Sequence, residues 1–212
     1  MAESGTTADP GWLVDQVARS QGRLDAALQT LTEPQVRGPS ALPGWARAHV
    51  LAHLAGNATA MAEMFEGYAR GEEVQQCAGS PDRREAEIDT VSARPADQLI
   101  DLVRDTGARC LAAYRVMPDW SGSLRWRSGR WPVTRGPVSR WREIEIHRLD
   151  LDLGYTPSDW PGQFVAFNLE REMARLPERA PGVQAPAHPA TTVLAWLFGR
   201  GDRGLPPLPA WG

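Results

Sequence analysis

Four histidines occur in this 212-residue chain, His49, His53, His147 and His188, and three of them fall in stretches with helical spacing. His49, His53 and Asn57 stand at successive steps of four, which places them on one stripe of a helix otherwise rich in Ala and Leu. Glu143 and His147 are also four apart, so their side chains leave a helix on one face. A ligand pair on one helix, completed from a facing helix, is a standard way to build a metal site in a bundle core. Two neutral imidazoles and one carboxylate leave a fourth position open, as in catalytic zinc centres. The same set describes facial-triad iron, and spacing does not choose between them. Both patterns are short and permissive, and histidines at helical spacing are more often surface or core residues than ligands. Asp150, three residues after His147, is placed to hold a ligand imidazole, to cap the helix or to make a surface salt link.

The elements that must carry these residues are legible as apolar periodicity. Leu13, Val14, Val17, Leu24, Leu28 and Leu31 mark a first helix over about 11–31. Pro34, Gly38, Pro39 and Pro43 break the next stretch into turns. A second helix runs from near Trp45 to about Arg70, and Gly71 ends it. Residues 72–94 are polar and acidic and read as a loop with a short helix at most. Pro95 suits the first turn of a third helix, reaching Met117. Alternation through Leu124, Trp126, Trp131 and Val133 about Ser128-Gly129 indicates a small hairpin. A fourth helix spans about 137–153, and a Pro/Gly-rich boundary follows at 156–162. Beyond it lie two helices, near 164–176 and 190–198. The architecture is mainly α: a four-helix bundle over 1–158, which carries the candidate metal site, and a small C-terminal α/β or helical appendage over 159–212.

Composition narrows the chemistry. A formal net charge of −3 offers no basic field for a phosphate backbone, so nucleic acid is not an expected partner. No lysine occurs, which removes Schiff-base and P-loop lysine chemistry. Cys77 and Cys110 fit no CxxC spacing, and a reducing cytoplasm is the simpler setting for them. The first ten residues lack a secretory pattern, and no run approaches the roughly 18 apolar residues of a membrane span, so a membrane is not an expected partner.

Two motifs raise the weight of the cluster. Residues 42–58, LPGWARAHVLAHLAGNA, resemble the second-helix signature of the mycothiol-dependent maleylpyruvate isomerase family, within the DinB-like superfamily of metal-binding bundles. Residues 141–161, WREIEIHRLDLDLGYTPSDWP, are similar to that family's fourth helix and its exit, and 194–201, LAWLFGRG, to the end of its C-terminal domain. The resemblance implies His53, Glu143 and His147 as ligands of a divalent metal, zinc, and mycothiol as thiol cosubstrate. It implies Arg200 as a catalytic contact to a substrate carboxylate, with Arg148 a weaker second, and Asn57 and Arg148 as residues of the cofactor pocket. The implied reaction is cis–trans isomerisation: the thiolate adds to the activated double bond of a keto diacid, the adduct rotates, and the thiol leaves unchanged. A thiol S-transferase acting on another electrophile and a non-catalytic metal-binding module stay open as alternatives. The chain departs from the family in carrying Arg148 where a second histidine often stands, and its C-terminal region reads as shortened. The expected partners are a small carboxylate or electrophilic substrate and a low-molecular-weight thiol.

Overall fold

The computed structural model describes residues 8–76, 81–201 and 204–209. It divides into two compact units, one ending at Asp152 and the other beginning at Leu153.

The first unit is built on four long helices. Helix α1 (Pro10–Leu28) starts where Asp9 accepts a hydrogen bond from the Trp12 amide at 2.9 Å, with Pro10 just inside. Helices α3 (Arg47–Ala69), α5 (Ala96–Arg115) and α6 (Arg135–Asp150) complete the bundle. α3 is apolar on most of its surface because it packs against both α5 and α6, while α1 closes the other side against α5 and α6. Leu51, Leu54, Met61 and Phe65 on α3 are fully buried, each contributing about 1.5–3 kcal/mol of burial free energy. Gly136 lets α6 approach α3 closely; a Cβ there would lie 2.2 Å from the Phe65 ring.

Two helices lie in stretches read as turns or loop. Helix α2 (Glu33–Arg37) is nucleated by Thr32 and Gln35, whose side chain accepts from the Thr32 amide at 2.9 Å. The prolines around it hid that signal. Helix α4 (Pro81–Ser92) packs on α3, with Ile88 buried. Pro95 proves to be the residue before α5 rather than part of its first turn. The expected hairpin is present as β1 (Ser123–Trp126) and β2 (Gly129–Pro132), antiparallel, with Trp126 opposite Gly129. Gly129 takes a positive φ of 124°, a conformation glycine adopts without strain.

The second unit holds helices α7 (Gly162–Arg179) and α8 (Ala190–Leu197), with no strand among its described residues. Its core joins Leu176, Ala180, Val193, Trp196 and Leu197. Beside it Trp160 and Phe198 flank Phe164, at ring separations of 5.3 and 6.1 Å. No helix among the described residues is long and apolar enough to cross a membrane.

Candidate metal centre

The two helices that carry the histidines are tied together at three levels. At the lower level Arg140, 1% exposed, crosses from α6 to α3. It donates to the Leu54 carbonyl and to Asn57 Oδ1, both at 3.0 Å, and to Gln21 Oε1 on α1 at 3.1 Å. At the upper level Arg47, the first residue of α3, donates to the carbonyls of Leu151 at 2.6 Å and Asp152 at 2.9 Å. Those carbonyls lie at the end of α6, where a helix leaves acceptors unpaired and favours a cation. The Ala41 amide adds a bond to the Asp150 carbonyl at 2.8 Å. Between these anchors the seam has little freedom to widen.

The cluster sits at that intermediate level. His53 Nε2 lies 2.9 Å from Glu143 Oε2, and His147 Nε2 lies 3.3 Å from the same oxygen. One ligand atom from each of the three residues falls within 4.8 Å of the others. The two rings meet edge to face with centroids 4.4 Å apart. A tetrahedral ion with bonds of about 2.0–2.1 Å would hold its ligand atoms about 3.3 Å apart, so the donor set fits zinc in type and in spacing.

Two polar partners orient the imidazoles. Asp150, 1% exposed, lies 2.8 Å from His147 Nδ1, and its carboxylate accepts the Nδ1 proton. That leaves Nε2 facing the cluster, the arrangement of a carboxylate–histidine–metal relay. On the other ring, Arg84 of α4 donates from Nη2 to His53 Nδ1 at 2.8 Å. The electrostatics follow. Burial lowers the pKa of His53 and outweighs the pull of Glu143, so this ring is held neutral. Burial would lower His147 too, but Asp150 and Glu143 more than offset it, and its pKa is raised. Burial would raise Glu143, yet its bonds from His147 and His53 hold it well below the usual carboxylate range.

The remaining residues singled out in the sequence take varied positions. Asn57 is buried below the cluster with its side-chain oxygen engaged by Arg140. Arg148 points along α6, its guanidinium 3.7 Å from the fully buried Glu145 carboxylate. Glu145 itself accepts from Ser20 at 2.5 Å and Arg23 at 2.9 Å on α1. His49 turns back on the start of α3, where Nδ1 accepts the Ala46 amide at 3.1 Å. Trp45 packs its ring 6.0 Å from that of His53. Arg200 belongs to the second unit and donates to the Phe198 carbonyl at 3.2 Å. His188 is exposed, and Cys77 lies outside the described residues. Cys110 is buried as a free thiol, and burial pushes its pKa up, which disfavours the nucleophilic thiolate.

Arg84 and Arg140 went unread in the sequence. Arg84 falls in the stretch taken for a loop, where nothing marks one arginine above another. Arg140 did carry a signal: it precedes Glu143 by three and shares its face, while Asn57 follows His53 by four.

Fold and site together define a DinB-like helical bundle with a two-histidine, one-carboxylate cluster across its central seam. The chain belongs to the family described by the mycothiol maleylpyruvate isomerase N-terminal domain, whose model matches residues 17–152. No curated protein matches the sequence. Among solved structures it is similar to the crystal structures of the mycothiol-dependent maleylpyruvate isomerase and of a histidine-to-alanine mutant of that enzyme. Each is matched at 23% identity with a TM-score of 0.83, over 96% of this chain and 97% of the other.

Proposed function

We propose that this protein is a zinc- and mycothiol-dependent enzyme that isomerises a small cis-unsaturated keto diacid of the maleylpyruvate type, acting in the cytoplasm. The observation that carries the reading is the convergence of His53 Nε2 and His147 Nε2 on Glu143 Oε2, at 2.9 and 3.3 Å. Family membership adds the thiol and the substrate class.

His53, Glu143 and His147 would hold the metal, with Asp150 fixing the His147 tautomer. A bound zinc ion supplies an open coordination position and stabilises the thiolate form of a thiol near neutral pH. The chain's own residues define the rest. Cys110 is sealed in the core and unsuited to attack, which favours a nucleophile borrowed from the thiol cosubstrate. The thiol sulfur adds to one carbon of the double bond, and the electron pair moves onto the conjugated carbonyl. Rotation about the resulting single bond, return of the electron pair and C–S cleavage give the trans isomer and the original thiol. Arg200 remains the assigned contact for a substrate carboxylate, with Arg148 the second choice, because a guanidinium fork matches a carboxylate in two parallel bonds. Asn57 serves the pocket by bracing the seam through Arg140.

Metal analysis of the wild type and of His53→Ala, together with maleylpyruvate turnover with and without mycothiol, tests the reading. Stoichiometric zinc in the wild type, its loss in the variant, and thiol-dependent isomerisation without thiol consumption are expected. Full turnover in the absence of thiol sinks the mechanism. Stoichiometric consumption of thiol makes the protein an S-transferase instead. Metal bound without any thiol-dependent turnover leaves a non-catalytic module.

A further inference from the structure

Beside the candidate ligand cluster, the loop that leads into α3 lines a groove of about 470 Å3, within the roughly 300–1,000 Å3 common for small-molecule sites. Its wall is a closed turn. Pro39 and Ala46 pair as an antiparallel bridge at the base, and the Trp45 carbonyl accepts the Ser40 amide at 3.0 Å and the Ser40 hydroxyl at 2.8 Å. Gly44 turns the chain with a φ of 79°, which glycine adopts without strain. The Ala41 amide bonds the Asp150 carbonyl at 2.8 Å, so the groove is fixed to the same residue that orients His147.

Trp45 is the wall that groove and cluster share. It lines the groove, and its half-buried ring stands 6.0 Å from the rings of both His49 and His53. Its indole N–H makes no hydrogen bond among the described residues, and the carbonyls of Ala41, Pro43 and Gly44 accept none there. The groove is also short of open charge. Among the residues that line it the one charged side chain is Arg37, and its guanidinium is committed to Glu33 at 2.6 Å, to the Ser92 carbonyl at 2.5 Å and to the Arg94 carbonyl. A diacid finds no open cation on this wall. A polyol finds a flat aromatic face for the C–H side of a ring, one N–H donor and a rim of carbonyl acceptors.

We propose that this groove is the subsite for the uncharged, polyhydroxylated head of the thiol cosubstrate, with Trp45 as its stacking surface, an assignment that rests on the mycothiol reading above. Mycothiol joins its cysteine to a glucosamine and an inositol ring. A thiol sulfur at the cluster therefore leaves a bulky neutral head to be bound nearby, and the shared Trp45 wall puts the groove next to that sulfur. Binding energy from this remote, unreacting head positions the sulfur, and it gives the site a preference for the full cosubstrate over a bare cysteine derivative.

The test uses the full chain and a thiol-free ligand, glucosaminyl-inositol, titrated by NMR against the wild type, Trp45→Ala, Trp45→Phe and Ala41→Gln. The wild type is expected to bind it. Trp45→Ala should weaken binding about tenfold, and Trp45→Phe, which keeps an aromatic face, by less. Ala41→Gln fills the groove from an exposed position while its backbone bond to Asp150 stays, and should also weaken binding about tenfold. Maleate should not displace the ligand. No binding to the folded wild type overturns the proposal, and so does equal affinity in the wild type, Trp45→Ala and Ala41→Gln. Displacement by maleate overturns it too, since that would make the groove an anion site. If Trp45→Ala does not fold, Trp45→Phe and Ala41→Gln carry the same comparison. The ligand has no thiol and its binding needs no turnover, which separates the two readings. Failure to bind it in a protein that still isomerises with mycothiol removes the groove alone. Binding that follows the expected pattern without thiol-dependent turnover supports the groove and removes the reaction.

Discussion

Two polar clusters cross the α3–α6 seam within a turn of one another, and they are built on opposite plans. Around Arg140 a single buried cation spreads its N–H groups over three separate neutral acceptors, Leu54 O, Asn57 Oδ1 and Gln21 Oε1. Around Glu143 one carboxylate oxygen serves two imidazoles, and the chain ends on a guanidinium from another helix. In the first cluster each of the three acceptors is engaged by the one guanidinium. In the second, the three side chains that could hold a cation meet on one oxygen. The buried brace below and the candidate ligand set above span the same two helices, so the brace fixes the spacing that the ligand set needs.

The largest effect expected from breaking this comparison is at Arg140. Arg140→Met should lower unfolding stability by about 3 kcal/mol, because buried acceptors lose their donor. Urea unfolding of the metal-free protein measures it, and a loss under about 1 kcal/mol would mean the lower cluster is no brace. Asp150→Asn should act on the other cluster, weakening Zn2+ binding roughly 10–100-fold by loosening control of the His147 ring. Chelator competition reads that change; unaltered affinity would detach Asp150 from the centre.

Asn57→Leu sharpens the boundary between the two. It should cost about 1–2 kcal/mol of stability with Zn2+ stoichiometry intact. Loss of thiol binding with stability unchanged would instead return Asn57 to the cofactor pocket.

The smallest effect is a difference in pH dependence. His53 has a folded pKa below its ordinary 6.5, so its contribution to metal-free stability is full above that value and drains as pH falls. Glu143 adds a second loss below its ordinary 4.5. His147, raised, works the other way: its contribution is full below 6.5 and fades as pH rises through its folded value. The Arg140 cluster adds no slope, since a guanidinium stays charged throughout. Thermal midpoints of wild type and His53→Gln should therefore converge on acidification below pH 6.5. Parallel curves through that range would contradict the buried, neutral assignment of His53.

The sequence by itself determined the long helices, because each must bury an apolar stripe and so writes a 3.6-residue period into its residues. It also determined that His53, Glu143 and His147 share helix faces, since steps of four are a property of the helix alone. It could not reveal α2, masked by prolines, nor the packing of α4, whose polar sequence gave no stripe to read. What only the tertiary structure decided is which polar groups meet across helices. Arg84 reaches His53 over 31 positions of chain and Arg140 reaches Asn57 over 83. Those meetings depend on the depth and rotation of packed helices, and no periodicity within one helix records them.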